Sequence, residues 1–353
     1  MPCYHPQVVY VFKDKKSMSN GHTLVQSDFD YRKLKEIKLA LGNERSFYNK
    51  KLKTIEECIC TDATLIPCGH CVGCSTDISK SWMNRMVLEK EVSSTSYFLT
   101  ITYDEEHLPS DHMLKKNHLD KFIKDIRNYF KNNYDYDNIR YYACGEYGSK
   151  TARPHYHMIV YNLPLTSLEY EILGLGKGVK CLFKTVGMSV DNEPLYQFDF
   201  LNNIWKKGFV VVGKVTSKSC GYVARYVNKK RMKKLPNWLL EKQGIVPEFN
   251  CMSRMPGIGE EYYHQNYLKI LDNNLNFYID GQLMSVGRYF EKFLDKFHPE
   301  EMERYKKLKE SKSLFGKAYI SGLSIRSPST TINEELEKDE ALHLQKYSTL
   351  HRK

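Results

Sequence analysis

The sequence predicts an α+β protein whose core is an antiparallel, ferredoxin-like sheet. Three observations lead there. Short β-branched and aromatic segments recur between residues 97 and 213. Stretches with apolar residues at helical spacing lie between them. The two middle strands are separated only by the turn-rich Gly148-Ser149-Lys150-Thr151-Ala152-Arg153-Pro154. The resulting order, β-α-β-β-α-β-α, is the split βαβ pattern, expected to carry helices on one face of the sheet.

The elements follow in order. Residues 1–75 read as irregular and hold six of the ten cysteines, Cys3, Cys58, Cys60, Cys68, Cys71 and Cys74. Ser75 to Val92 has helical spacing, with Ile78, Trp82, Met86 and Val87 on one face. Tyr97 to Tyr103 is a strand. Asn117 is suited to cap the next helix, with Leu119, Phe122, Ile123, Ile126 and Phe130 as its buried stripe. Ile139–Tyr147 and His155–Tyr161 are strands joined as a hairpin. Residues 162–195 read as an insertion of weak periodicity. Phe198–Trp205 is a short helix, Gly208–Gly213 a strand, and Ser217 or Ser219 starts a helix reaching Lys229. Beyond residue 236 the text changes: Pro256-Gly257-Ile258-Gly259 marks a turn, Tyr262–Leu271 and Gly287–Phe297 read as helices, and Asn276–Gln282 as strand and turn. The expected domains are 1–92, a Cys-rich segment with its helix; 93–236, the sheet core; 237–310, a helical extension; and 311–353, a loosely ordered Ser-, Lys- and Glu-rich tail. There is no internal repeat.

The chain has 353 residues, a net charge of +11 and 41% hydrophobic residues. That is enough for one large or two modest domains with real cores. The basic excess favours an anionic partner, nucleic acid first. No apolar stretch reaches the length of a membrane-spanning helix, and the N-terminus lacks the pattern of a signal peptide. An intracellular protein without membrane association is expected, with cysteines as thiols or metal ligands. The 26 tyrosines and frequent Lys and Asn fit an AT-rich genome as well as any function.

Alternate strand residues share a face, so His155 and His157 project together, two legs of a metal site. A hard divalent ion also wants a carboxylate. Glu146, ending the strand paired across the hairpin, is the candidate, with Asp104 and His107 as lesser ones. Tyr222 and Tyr226 lie one turn apart on a helix, so both phenols can reach one metal-bound phosphate. Lys229 lies close enough to stabilise a phenolate. The following Lys230, Arg231, Lys233 and Lys234, and Arg153 before the histidines, are candidate DNA contacts. Each residue alone has a plainer reading: strand histidines, aromatic core, a solvated helix end.

Pro67-Cys68-Gly69-His70-Cys71-Val72-Gly73-Cys74 gives C-x2-C-x2-C. Such tight spacing suits a structural zinc bound by thiolates. An iron–sulfur run would bring a fourth cysteine soon after Cys74, and Ser75 to Ser81 contains none. The fourth ligand is open among Cys3, Cys58 and Cys60.

Taken together, the chain resembles the HUH superfamily of replication initiators, nearest to those of the small single-stranded DNA phages of the microvirus, gokushovirus type. The likeness is carried by Pro67–Cys74 followed by Trp82 and Arg85, by Phe98–Tyr103, by Gly145–Gly148 through Arg153–His157, by Tyr222–Lys230, and by Pro256–Gly259. The resemblance implies a site-specific endonuclease that nicks the origin through a 5′-phosphotyrosine and starts rolling-circle replication. The second tyrosine would then cleave the regenerated origin and the strand be rejoined. It implies metal ligands at His155 and His157, with Mg²⁺ or Mn²⁺ as cofactor, and nucleophiles at Tyr222 and Tyr226. The Tyr-x-x-Lys of single-tyrosine relatives maps to Tyr226 and Lys229. It also implies single-stranded origin DNA and the double-stranded replicative form as substrates, a host helicase and polymerase as partners, and the host bacterial cytoplasm as location. The chain has no Walker-type motif for unwinding of its own. The rival readings are a plasmid relaxase or transposase, and a non-catalytic, zinc-stabilised nucleic-acid-binding protein.

Overall fold

A computed structural model describes residues 3–5, 7–12, 23–26, 44–49, 54–148, 151–176, 182–231, 244–273, 276–279, 281–285, 287–307 and 332–350. For residues 8–65, 226–231, 279, 282–283, 285, 332–336 and 347–350 among these, only the backbone is described. The chain divides into two compact units, Met1–Asp77 with Lys306–Lys353, and Ile78–Tyr305.

The first unit is not irregular. It holds a four-stranded antiparallel sheet in the order β2-β1-β4-β3, made of β1 (Gln7–Phe12), β2 (Thr23–Gln26), β3 (Glu44–Asn49) and β4 (Thr54–Ile66). The run Val8-Val9-Tyr10-Val11 is rich in strand-favouring residues but too short to show a period. A helix spans Ile332–Leu350. Its Glu, Lys and Leu content favours helix, against the loose tail expected from composition.

The second unit is α+β. Its elements are most of α1 (Val72–Glu91), β5 (Ser96–Tyr103), α2 (Lys116–Tyr134), β6 (Arg140–Tyr147), β7 (Pro154–Tyr161), α3 (Ser167–Ile172), β8 (Phe183–Met188), β9 (Pro194–Phe198), α4 (Asp199–Trp205), β10 (Gly208–Lys214), α5 (Ser217–Arg231), β11 (Phe249–Met252), α6 (Glu260–Asp272), the β12–β13 hairpin (Asn276–Ile279 and Gln282–Ser285) and α7 (Arg288–Phe297). Seven strands form one sheet in the order β11-β6-β7-β5-β10-β9-β8, with antiparallel neighbours throughout.

Both faces of this sheet are covered, not one. On the first, Leu99, Ile101, Tyr156, Met158 and Val160 pack under the expected α2 stripe, Leu119, Phe122, Ile123, Ile126 and Phe130, and under Leu201 and Trp205 of α4. On the second, Tyr142, Cys144, Ile159 and Tyr161 pack against Met86 and Leu88 of α1, Val223 and Ala224 of α5, Tyr263 and Ile270 of α6, and Phe290 and Leu294 of α7. Buried on both sides, β6 and β7 have no polar face to announce this.

Two local expectations change. Asn117 does not cap α2. The helix starts at Lys116, and Lys115 occupies the cap position without a side-chain cap bond. The buried Tyr156 hydroxyl sets that start, since it accepts from the Lys115 amide and donates to the Lys115 carbonyl, both at 3.0 Å. The 162–195 insertion contains α3, β8 and the start of β9, and α3 opens on a reciprocal capping box between Thr166 and Glu169. Gly208, at φ 138°, lets β10 enter beside β5, where a Cβ would lie 2.4 Å from the Thr102 carbonyl oxygen. Among the described residues, no helix is long and apolar enough to cross a membrane.

Candidate metal centre

The strand register builds the site. β6 and β7 pair so that Glu146 lies opposite His155 and Cys144 opposite His157; on the other side β5 sets Thr102 opposite His155 and Thr100 opposite His157. Residues paired this way share a face. Glu146, His155 and His157 therefore converge, on the face that α5 covers.

Glu146 Oε1 is the centre of the group. It lies 2.6 Å from His155 Nε2, 3.3 Å from His157 Nε2 and 3.4 Å from the Tyr222 hydroxyl. That hydroxyl is also 3.4 Å from His157 Nε2. His155 Nδ1 sits 3.1 Å from the Arg153 carbonyl. A carbonyl only accepts, so Nδ1 carries a proton; Nε2 donates to the Glu146 carboxylate and is the nitrogen that would turn a lone pair inward once a cation replaced that proton. Glu146 and His157 are buried. Burial opposes the charge on Glu146, but hydrogen bonds from His155 and His157 outweigh it and hold the carboxyl at about 2. The ligand atoms of the three residues lie within 4.8 Å of one another. Two inward imidazole nitrogens and an ionised carboxylate fit a divalent cation.

Tyr222 reaches the site because α5 is fixed by its other face. Val223 and Ala224 are buried, and the Ala224 carbonyl accepts from Ser79 Oγ at 3.0 Å. The helix is capped by Thr216, whose Oγ1 accepts from the Ser219 amide at 3.2 Å. Two residues that sequence reasoning gave no role complete the setting. Thr100 Oγ1 is 3.3 Å from His157 Nδ1, and Phe98 stacks on the His157 ring at 5.5 Å and meets the Tyr222 ring edge-on at 6.3 Å. The period of two put Phe98, Thr100 and Thr102 on one face; only the pairing with β7 says which face that is.

The other candidates fall as follows. Tyr226, Lys229, Lys230 and Arg231 lie on the α5 backbone, and their side chains are outside the described residues, as are Lys233 and Lys234 entirely. The Arg153 guanidinium is engaged by Glu105 at 2.5 Å and the Tyr103 carbonyl at 3.2 Å. Asp104 and His107 do not join the triad; they bond to each other at 2.8 Å in the turn after β5.

The cysteines form a second cluster, in the first unit. Cys3, Cys68, Cys71 and Cys74 bring their sulfurs within 4.8 Å of one another, with Cys68–Cys74 and Cys71–Cys3 each at 3.9 Å. Bonds of 2.3 Å to a tetrahedral zinc would set sulfurs about 3.8 Å apart. Burial pushes the Cys3 thiol up to about 11 and raises Cys74 as well. Burial acts on Cys68 too, but amide donors from Cys71 and His70 lower it overall. Cys58 and Cys60 lie on β4, with side chains outside the described residues.

Comparison with known proteins places this chain in a family. The replication-associated protein ORF2 of Spiroplasma virus 4 is 34% identical over 248 residues, covering 68% of both chains. This chain belongs to the replication-associated proteins of small single-stranded DNA phages. The family model for replication-associated protein ORF2/G2P matches residues 96–231, the stretch that holds the triad and Tyr222. Replication-associated protein VP4 of Bdellovibrio phage phiMH2K is 28% identical over 243 residues, 68% of this chain and 70% of its own. ORF4 of Chlamydia phage 1, also a replication-associated protein, is 28% identical over 238 residues, 67% of this chain and 55% of its own. No solved structure matches this phage replication-associated protein.

Proposed function

We propose that this replication-associated protein is an HUH endonuclease that nicks phage origin DNA and later rejoins the strand, initiating and ending rolling-circle replication in the host cytoplasm. The observation that carries the reading is the Tyr222 hydroxyl, 3.4 Å from both Glu146 Oε1 and His157 Nε2. The central strand order β6-β7-β5-β10, with α2 and α4 on one face, supports the ferredoxin-like topology.

Glu146, His155 and His157 would hold Mg²⁺ or Mn²⁺, which when bound polarises a phosphate oxygen and offsets charge in the transition state. The rest falls to the chain. Phe98 and His157 orient the Tyr222 ring beside the phosphate. The phenol oxygen forms a bond to phosphorus and the bond to the 3′ oxygen breaks. The proton the phenol loses is balanced by the one the 3′ oxygen takes up. One phosphodiester replaces another, so the step reverses when a 3′ hydroxyl attacks, and joining needs no nucleotide. Tyr226, one turn on, serves as the second nucleophile, with Lys229 stabilising its phenolate. Lys230, Arg231, Lys233, Lys234 and Arg153 contact DNA phosphates. Cys3, Cys68, Cys71 and Cys74 hold a structural Zn²⁺. A host helicase and polymerase supply unwinding and synthesis.

The test is covalent capture. Single-stranded oligonucleotides tiled across the phage genome, incubated with the full chain and Mg²⁺ or Mn²⁺, yield a protein–DNA adduct at one sequence. The adduct requires His155 and His157 and disappears in the Tyr222→Phe, Tyr226→Phe double variant. An adduct undiminished in that variant overturns the assignment.

A further inference from the structure

The turn Arg254-Met255-Pro256-Gly257 leads into a segment held at every residue. Arg140 Nη2 donates to the Gly257 carbonyl at 2.9 Å, and the Gly257 amide donates to Glu260 at 2.6 Å. Arg85 Nε donates to the Ile258 carbonyl at 2.9 Å, and the Gly259 amide to Glu89 at 2.6 Å. The Arg85 guanidinium is clamped between the rings of Trp82, at 4.0 Å, and Tyr289, at 3.5 Å. Arg254 and Gly257 are bridged as a β-pair. Above this anchored base the tip stands open: Arg254 and Pro256 are exposed, and Met255 is 95% exposed. A large apolar side chain is thus presented to solvent on a rigid mount.

Beside the turn lies a cleft of about 630 Å³, lined by Arg127, Asn138, Arg140, Ser253, Arg254 and Met255 among others. Its charge is unbalanced. Arg140 is paired with Glu89, and Asp137 on the cleft wall lies 3.6 Å from Lys131. Among the described residues, neither Arg127 nor Arg254 has a carboxylate partner. Arg127 is fixed instead by the Ile139 carbonyl, at 2.7 Å, and by Ser253 Oγ, at 3.1 Å, which leave its charge unopposed. Arg140 and Glu146 sit near opposite ends of β6. At the rise of an extended strand the cleft is about 20 Å from the metal centre, the length of about six base pairs.

We propose that this turn and cleft bind duplex DNA flanking the cleavage site, with the arginines on backbone phosphates and Met255 inserted as a wedge that unstacks a base step. The proposal rests on reading the chain as a DNA-nicking protein. Apolar side chains such as methionine unstack duplexes in this way when neighbouring cations hold the backbone. Covalent attack by a tyrosine needs an unpaired strand, and the sequence carries no Walker-type motif to open one. A wedge about six base pairs away supplies local opening from binding energy alone.

Arg254→Glu and Met255→Ala alter exposed side chains only, so both variants should melt like the parent. The full chain is titrated with a short fluorescein-labelled duplex of mixed sequence over a range of salt, and with the same duplex carrying 2-aminopurine, which brightens on unstacking. Arg254→Glu is expected to weaken duplex binding about tenfold near 0.1 M salt and to lower the salt slope by about 1. Met255→Ala is expected to keep most of the affinity and lose the brightening. Parental affinity and slope in Arg254→Glu overturn the cleft; a parent that binds without brightening, or brightening unchanged in Met255→Ala, overturns the wedge. Covalent capture on single-stranded DNA reports separately on the nicking reading, and both variants should form that adduct at the parental level.

Discussion

Thr100 Oγ1 lies 3.3 Å from Nδ1 of His157, directly across the β5–β7 pair. The contact turns the imidazole so that Nε2 faces Glu146 and Tyr222. His155 is turned the same way by a different device, the Arg153 carbonyl. One histidine is thus oriented by a side chain and the other by backbone, so only the first can be released by substitution without disturbing the hairpin.

Thr100→Val keeps the shape and removes the hydroxyl. Loss of an outer hydrogen bond to a metal-ligating histidine costs about 10–100-fold in affinity. Calorimetric titration with Mn²⁺ should show a loss in that range, with Thr100→Ser restoring most of it. Unchanged Mn²⁺ affinity in Thr100→Val would mean that Phe98 stacking alone holds the ring.

The two tyrosines should separate by stage. Tyr222 stands at the triad, and Tyr226 follows one helical turn later on α5. Tyr226→Phe is expected to retain the first covalent adduct in a single-turnover assay but to lose transfer of the joined strand to a second oligonucleotide. Tyr222→Phe should reduce the first adduct by at least about 100-fold, on the scale of removing a positioned nucleophile. Equal loss in both variants at the first stage would refute this division.

The cysteine geometry makes a sharper claim than the spacing did. Zinc analysis of the purified chain should give about one equivalent, as a closed four-thiolate site holds. Cys3→Ser should strip most of it, while Cys58→Ser should leave it in place. Retention of zinc in Cys3→Ser would move the fourth ligand away from the N-terminus.

Much of the core was legible because its signals are local. The α2 stripe and the β6–β7 hairpin follow from period and turn chemistry, and parity along β7 already paired His155 with His157. Glu146 needed only the added assumption that a short hairpin aligns its strand ends. Thr100 and Phe98 were not readable, because which strand lies beside β7 is a long-range fact. The second covered face was hidden for a related reason: Arg140 to Tyr147 is buried on both sides and shows no alternation. β1, β2 and β3 are too short to display a period, and Asn117 failed as a cap because Tyr156, far off in sequence, already satisfies the backbone of Lys115.

The Gly257–Gly259 segment, which Arg85 stacked on Trp82 holds at Ile258, is anchored on either side of that residue by the buried ion pair between Glu89 and Arg140. Their side chains are only 2% and 9% exposed. Glu89 accepts from Arg140 with Oε1 and from the Gly259 amide with Oε2, while Arg140 also donates to the Gly257 carbonyl. Removing the carboxylate leaves a buried cation and a buried amide without their acceptor. Glu89→Ala should therefore cost about 3–5 kcal/mol, which for a unit of this size lowers Tm by on the order of 10 °C. Replacing both partners by apolar residues of similar volume, Glu89→Leu with Arg140→Met, removes the uncompensated charge and should cost clearly less than Glu89→Ala alone. Thermal unfolding of the parent, the single and the double variant decides the matter: a double variant as unstable as the single one would show that the hydrogen bonds to Gly257 and Gly259, not the stranded charge, set the penalty.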